Sequence, residues 1–152
     1  MEKNKALAKA MEYCARSERS TQEVRSNLET IGTKPSDIEE IIAQLKKESF
    51  IDELRYARSF VADKYRFNSW GKQKIRYQLK GKGIPNEIIQ KALETLDPDE
   101  YFEHLKEQLE KKIPSVKGDN YYTKKAKLMR FAASKGYEPD LIYDAIDEIL
   151  KK

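Results

Sequence analysis

The apolar residues of this chain fall almost everywhere at the spacing of an amphipathic helix. Val24, Leu28 and Ile31 form one stripe, in which side chains three or four residues apart point to the same side. A second stripe runs from Ile38 to Leu45. No segment alternates apolar and polar residues for long enough to predict a strand. The pattern therefore predicts an all-α fold.

Residues that start and stop helices separate these stripes. Ser20 and Glu23 have the spacing of a capping box, in which the serine oxygen accepts a hydrogen bond from a free backbone N–H. Asp52 and Asp97 each precede a further stripe, and each is predicted to cap the helix that follows it. A glycine followed within a few residues by a proline ends several of the stripes. Such pairs are Gly32 and Pro35, Gly83 and Pro85, and Gly136 and Pro139.

The chain repeats this arrangement. The apolar and glycine positions Val24, Leu28, Gly32, Ile38, Ile42 and Leu45 recur 51 residues later as Ile75, Leu79, Gly83, Ile89, Leu93 and Leu96. A further shift of 53 residues gives Leu128, Ala132, Gly136, Ile142, Ile146 and Ile149. A glycine at the same place each time predicts a left-handed residue that ends one helix before the next begins.

One more predicted helix precedes each of these helical hairpins, at residues 4–16, 53–67 and 99–112. We therefore predict three tandem three-helix repeats, forming an elongated, curved, right-handed or solenoid-like stack. The predicted repeats comprise residues 1–50, 51–97 and 98–152.

Charge is unevenly distributed along the chain. The net charge is +4, yet residues 51–96 carry ten basic and five acidic side chains, and no acidic residue occurs from Lys64 to Asn86. The basic residues of that acid-free stretch are Lys64, Arg66, Lys72, Lys74, Arg76, Lys80 and Lys82. A solvated helix face is the ordinary explanation of such charges, but no acidic side chain lies three or four residues from Lys72, Lys74, Arg76 or Lys80 to pair with them. The charge pattern favours an anionic partner, a nucleic acid or an acidic protein surface.

Aromatic residues accompany the basic ones. Trp70 either stacks on a base or anchors a partner, or it packs in the core or between the predicted repeats. Tyr121 and Tyr122 precede a second basic group, consisting of Lys124, Lys125, Lys127 and Arg130. That segment is either a second contact surface or a packed tyrosine beside an exposed one.

Catalytic and metal chemistry find little support in the sequence. Cys14 is the only cysteine and His104 the only histidine, so neither a metal site of several such ligands nor a disulfide within the chain is predicted. We interpret Cys14 as a small packed residue and His104 as a surface residue. Asp97, Asp99 and Glu100 resemble the carboxylates of a magnesium-dependent nuclease, but a helix start explains all three. We predict no catalytic residue, no metal and no cofactor.

The cysteine content and the apolar stretches of the sequence predict the cellular compartment and whether the protein associates with a membrane. A single cysteine is typical of a reducing compartment, which predicts a cytoplasmic location. The first nine residues are polar, and no stretch approaches the apolar length needed to cross a bilayer. We expect no membrane partner.

Three segments carry a resemblance to a known family. They are RSTQEV at residues 19–24 with Leu28 and Gly32, FIDELRYA at residues 50–57, and GKQKI at residues 71–75 with Leu79, Lys82 to Ile84 and Ile88. In this order and at these distances they resemble the RecX regulatory proteins, over nearly the whole chain and most specifically from Arg19 to Leu93. Glu53 departs from the pattern, because the family commonly has a second aspartate there.

This resemblance implies a regulator of the RecA recombinase that is not an enzyme. Such a protein binds RecA filaments on single-stranded DNA, lies in their deep groove, and inhibits recombinase, ATPase and coprotease activities, with consequences for DNA recombination, DNA repair and the SOS response. We expect a monomer that contacts the filament or its DNA through Arg25, Arg66, Lys72, Lys74, Arg76, Lys80 and Lys82. The alternatives are a helical DNA-binding protein that acts without RecA, a nuclease, and an adaptor for another protein.

Overall fold

The computed structural model describes residues 1–150 and is all-helical over that range, which confirms the predicted fold class. Its helices are α1 Lys3–Arg16, α2 Thr21–Thr30, α3 Pro35–Lys47, α4 Glu53–Asn68, α5 Lys72–Gly81, α6 Asn86–Leu93, α7 Pro98–Lys112, α8 Tyr121–Ser134 and α9 Pro139–Ile149. A short 3₁₀ helix, Ile113–Val116, follows α7 directly. The helices predicted at residues 4–16, 53–67 and 99–112 correspond to α1, α4 and α7.

The predicted caps begin their helices. Ser20 Oγ accepts a hydrogen bond from the backbone N–H of Glu23 at 3.1 Å, and the Asp97 carboxylate accepts one from the N–H of Glu100 at 2.9 Å. The Asp52 carboxylate accepts a hydrogen bond of 3.0 Å from the N–H three residues further on. Each cap satisfies a backbone donor that the first turn of a helix leaves without a partner.

The three predicted glycine turns have one geometry. Gly32, Gly83 and Gly136 have φ values of +81°, +79° and +94°, in the left-handed region that glycine adopts without a steric cost. In each turn the glycine N–H donates to the carbonyl three residues earlier, and the next N–H donates to the carbonyl five residues earlier, at 3.0 to 3.2 Å. This is the Schellman motif, and it ends α2, α5 and α8 in the same way.

Packing groups the chain into two compact units. Unit 1 comprises residues 1–60 and 78–92, and unit 2 comprises residues 61–77 and the described residues from 93 onward. The core of unit 1 includes Ala6, Ala10, Val24, Leu28, Ile38, Ile41, Ile42, Leu45 and Ile51. The core of unit 2 includes Tyr101, Leu105, Leu109, Val116, Leu128, Ala132, Tyr137, Ile142, Ala145 and Ile146. The repeat boundaries, at residues 50/51 and 97/98, stay a prediction.

Most of the repeat-related apolar positions are buried, and the last positions of the second and third repeats, Leu96 and Ile149, are half-buried. Val24, Ile75 and Leu128, which the shifts of 51 and 53 residues relate, are each 0% exposed. Burying a side chain of this size contributes about 2 kcal/mol relative to leaving it in water. The apolar stripes therefore direct each helix toward a core.

Candidate interaction surface

The start of α5 is fixed by a close backbone contact within unit 2. The N–H of Gly71 donates to the carbonyl of Lys135 at 2.7 Å, and the N–H of Gln73 donates to the carbonyl of Gly136 at 2.9 Å. A Cβ atom on Gly71 would lie 2.5 Å from the backbone of Gly136, which is too close for any other residue type. The turn after α8 therefore holds the first turn of the basic helix α5.

Tyr101 supports the same point from α7. Its buried hydroxyl accepts a hydrogen bond from the N–H of Lys72 at 2.8 Å and donates one to Glu138 at 2.5 Å. Burial, together with the bond to Glu138, raises the pKa of Tyr101 above its usual range, so the hydroxyl stays protonated and can donate.

A related contact occurs within unit 1, where the Tyr56 hydroxyl donates to Glu23 at 2.7 Å. Tyr56 and Tyr101 each lie four residues after a capping aspartate. Our sequence reasoning missed both tyrosines, although that shared spacing was visible.

Two lysines of α5 rest on aromatic rings. Lys72 Nζ lies 4.9 Å from the ring centroid of Tyr101, and Lys74 Nζ lies 4.7 Å from that of Trp70. Neither lysine forms an ion pair within residues 1–150. Contact with a ring attracts the ammonium group without neutralising it. Both charges therefore remain available to an external anion.

The other predicted contact residues have different surroundings. In unit 2, Arg66 is exposed, and Arg76 is half-buried on α5. In unit 1, Lys80 is exposed, and Lys82 Nζ lies 5.7 Å from the Phe60 ring centroid.

Arg25, in unit 1, is already engaged within the protein. Its Nε and one terminal nitrogen donate to the two carboxylate oxygens of Glu39, each at 3.2 Å. This pair satisfies the fork of the guanidinium, so Arg25 offers less free charge than its position in the sequence suggests.

The second basic group, on α8, is partly paired. Lys127 Nζ forms an ion pair of 2.8 Å with Asp119, and Lys125 Nζ lies 5.6 Å from the ring of Tyr143. Lys124 is half-buried and Arg130 is exposed. The aspartate comes from the connection before α8, so it could not be placed against the helix from sequence spacing.

His104 is less exposed than predicted. Its side chain is 23% exposed, its Nε2 lies 3.2 Å from Ser69 Oγ, and its ring centroid lies 4.9 Å from that of Tyr65. Burial lowers the pKa of His104 below its usual value. We predicted a surface position because the residues next to His104 in sequence are charged. In the folded protein, α7 packs beside Tyr65, and this packing covers the imidazole ring of His104.

Cys14 is half-buried and packs against the core of unit 1, in keeping with its interpretation as a small packed residue. Burial raises the pKa of its thiol. Among residues 1–150, no group of three or more His, Cys, Asp or Glu side chains is arranged to hold a metal ion. No helix in the same range combines the length and the apolar run required to cross a membrane.

The fold and the basic residues together define a class of protein: one that is all-helical over residues 1–150 and carries basic side chains in each of its two units. Sequence models of the first, second and third three-helix domains of RecX match residues 6–45, 52–93 and 99–146. The chain belongs to the RecX family of regulatory proteins, as the resemblance in its sequence predicted.

Individual relatives agree with this assignment. Regulatory protein RecX of Prosthecochloris aestuarii is 34% identical over 146 residues, which cover 96% of this chain and 94% of that protein. Regulatory protein RecX of Clostridium botulinum is 33% identical over 93% of this chain and 66% of its own length. The crystal structure of RecX from Lactobacillus salivarius superposes with a TM-score of 0.90 and 26% identity, over 97% of this chain and 96% of that one.

Proposed function

We propose that this protein binds RecA filaments assembled on single-stranded DNA and inhibits the recombinase, ATPase and coprotease activities of RecA. Membership of a regulatory family supports this proposal. The observation that carries it is the state of Lys72 and Lys74, which rest on aromatic rings and form no ion pair within residues 1–150. Uncompensated cations on a rigidly held helix attract an anionic partner strongly.

The contact residues act by electrostatic attraction. Anions of two kinds are present in such a filament, namely carboxylates of RecA and phosphates of DNA. The principal contacts in unit 2 are Arg66, Lys72, Lys74 and Arg76, and those in unit 1 are Lys80 and Lys82. Arg25 contributes less because Glu39 already binds it. The cations of α8 form a secondary surface.

The protein acts by binding alone, as a monomer in the cytoplasm, with no catalytic residue and no cofactor. No bond in RecA or DNA is made or broken by it. Its effects on DNA recombination, DNA repair and the SOS response follow from the number and length of active RecA filaments.

Hydrolysis of ATP by the cognate RecA on single-stranded DNA tests this proposal. We expect the rate to fall as the protein is added, at amounts well below one molecule per RecA subunit, and the inhibition to weaken as salt is raised. An unchanged rate on otherwise normal filaments would refute inhibition. Tight binding to bare DNA in that case would support the alternative of a DNA-binding protein that acts without RecA.

A further inference from the structure

Two short segments of unit 2 share one sequence pattern. Residues 64–67 and residues 74–77 each consist of a lysine, an intervening residue, an arginine and an aromatic residue. The first segment lies in the last turns of α4 and the second in α5. Each aromatic residue therefore lies about one helical turn after a lysine and immediately after an arginine.

Trp70 brings the two segments together. Lys64 Nζ lies 5.0 Å from the centroid of its indole ring, and Lys74 Nζ lies 4.7 Å from the same centroid. The Trp70 side chain is half-buried. Both ammonium groups therefore lie close to one ring.

The two aromatic residues are exposed to an unusual degree. Tyr77 is 76% and Phe67 is 75% exposed, the largest values among the large apolar side chains of residues 1–150. A ring that faces water forgoes the stabilisation that burial would give it. Neither helix needs an aromatic residue at these positions, because the core is formed by other residues.

We propose that residues 64–77 bind single-stranded DNA directly, with Phe67 and Tyr77 stacking on bases while the neighbouring lysines and arginines contact phosphates. This inference rests on the proposed function, since it assigns the partner of part of the same basic surface. It adds that this part meets the DNA rather than RecA.

Three features favour DNA over a protein partner. No acidic residue occurs from Lys64 to Asn86, which suits a strand with one negative charge per nucleotide. Lysine is depleted in protein–protein interfaces, whereas it binds phosphates readily. An exposed ring face suits base stacking, which depends little on sequence. A duplex offers no free base faces, so the single strand is the better match.

The chain contains its own reporter, because Trp70 is the only tryptophan. Titrating the full chain with oligo-dT, in the absence of RecA, should change Trp70 emission in a saturable way. The affinity should fall with rising salt, with a logarithmic slope of about −0.7 for each phosphate contacted.

Variants separate stacking from charge. We expect F67A/Y77A to weaken oligo-dT binding at least about tenfold with an unchanged salt slope, because every cation is retained. Binding of polyphosphate, which has charges and no bases, should not change in this variant. Y77F should bind oligo-dT within about twofold of the unmodified chain, since stacking needs only the ring.

Tyr143→Ala is the matched control. This tyrosine is also exposed, at 46%, but it lies on α9 next to Asp144. The control should bind oligo-dT normally. All of these side chains are exposed, so helical circular dichroism should be unaltered in every variant.

Two results would overturn the inference. One is the absence of any Trp70 response or oligo-dT binding at low salt. The other is F67A/Y77A binding oligo-dT as tightly as the unmodified chain. If either result came with normal inhibition of RecA ATP hydrolysis by the unmodified chain, the proposed function would stand and only the assignment of this surface to DNA would fail. If F67A/Y77A bound oligo-dT normally but no longer inhibited RecA ATP hydrolysis, the surface would be assigned to RecA.

Discussion

Helices α5 and α8 look alike in sequence and differ in the structure. Both are second helices of their repeat, both are basic, and neither contains an acidic residue. Yet Lys127 of α8 is paired with Asp119, whereas Lys72 and Lys74 of α5 rest on the rings of Tyr101 and Trp70. An ion pair compensates the field of a lysine, and contact with a ring does not.

The difference originates outside the two helices. The connection before α8 supplies an aspartate, and the connection before α5 supplies Trp70 and then Gly71. The residues just before a basic helix therefore determine, as much as its own charges, which cations it presents to a partner.

Charge reversal on α5 should have a far stronger effect on filament binding than the same change on α8. Reversing charge on α5 with K72E/K74E/R76E should weaken filament binding at least about a hundredfold, because several phosphate or carboxylate contacts become repulsive. The matched change on α8, K124E/K125E/K127E, should weaken it by less than about tenfold, since Asp119 already compensates one of these lysines. Co-sedimentation with RecA filaments measures both.

Helicity provides the control for this pair of variants. Glutamates in the first turns of α5 are compatible with the helix dipole, so circular dichroism should be unchanged. A folded α5 variant that still bound filaments would refute the assignment of these residues. Equal losses for the two variants would show that α5 and α8 do not differ as contact surfaces.

A second prediction concerns the turn after α8, at Gly136, which contacts the first turn of α5. A Cβ atom on Gly136 would lie 2.3 Å from Cβ of Lys74, at a φ of +94°. We expect Gly136→Ala to destabilise the protein by about 3 kcal/mol, from the left-handed backbone and the overpacking together. Urea denaturation measures this loss.

Two other glycines calibrate that value. Gly32→Ala has the same backbone problem, but its nearest new contact is at 3.9 Å, so we expect a loss of about 1 to 2 kcal/mol. Gly81, in the last turn of α5, has nothing within 4 Å, and alanine there should be neutral or stabilise by up to about 1 kcal/mol. If Gly136→Ala lowered the free energy of unfolding no more than Gly32→Ala, the close contact with α5 would not contribute to the loss of stability.

The fold was predictable because its signals are local. An apolar stripe, a capping side chain and a left-handed glycine each act within a few residues, and so Ser20, Asp97 and Gly136 could all be read correctly. The charges of the candidate site were equally visible, but their partners were not. Arg25 meets Glu39 and Lys127 meets Asp119 only once the chain is folded, because tertiary packing decides which side chains become neighbours.

The third prediction compares the two tyrosines that sequence reasoning missed. Tyr101→Phe leaves the N–H of Lys72 and the carboxylate of Glu138 without this partner, and should cost about 2 kcal/mol. Tyr56→Phe affects only Glu23, which also accepts from Ser20 Oγ, and should cost about 1 kcal/mol.

Unfolding curves give the two losses, and hydrogen exchange of the Lys72 amide shows whether the start of α5 has loosened. We expect faster exchange in Tyr101→Phe alone. The same exchange rate in both variants would mean that Tyr101 does not hold the basic helix.

The smallest expected effect depends on pH and on His104, which lies beside Ser69 just before α5. Its pKa in the folded protein is lowered mainly by burial, with Lys111 acting in the same direction and Glu107 and Glu100 opposing. Below pH 6.5, the ordinary pKa of histidine, His104 binds a proton more readily in the unfolded chain than in the folded protein. The free energy of unfolding therefore falls as the pH drops through 6.5. His104→Gln removes this titration, so its melting temperature should fall less than that of the unmodified chain between pH 7.5 and pH 5. An equal fall in both proteins would show that carboxylates, not His104, set the acid sensitivity, and that the packing next to α5 tolerates a charged imidazole.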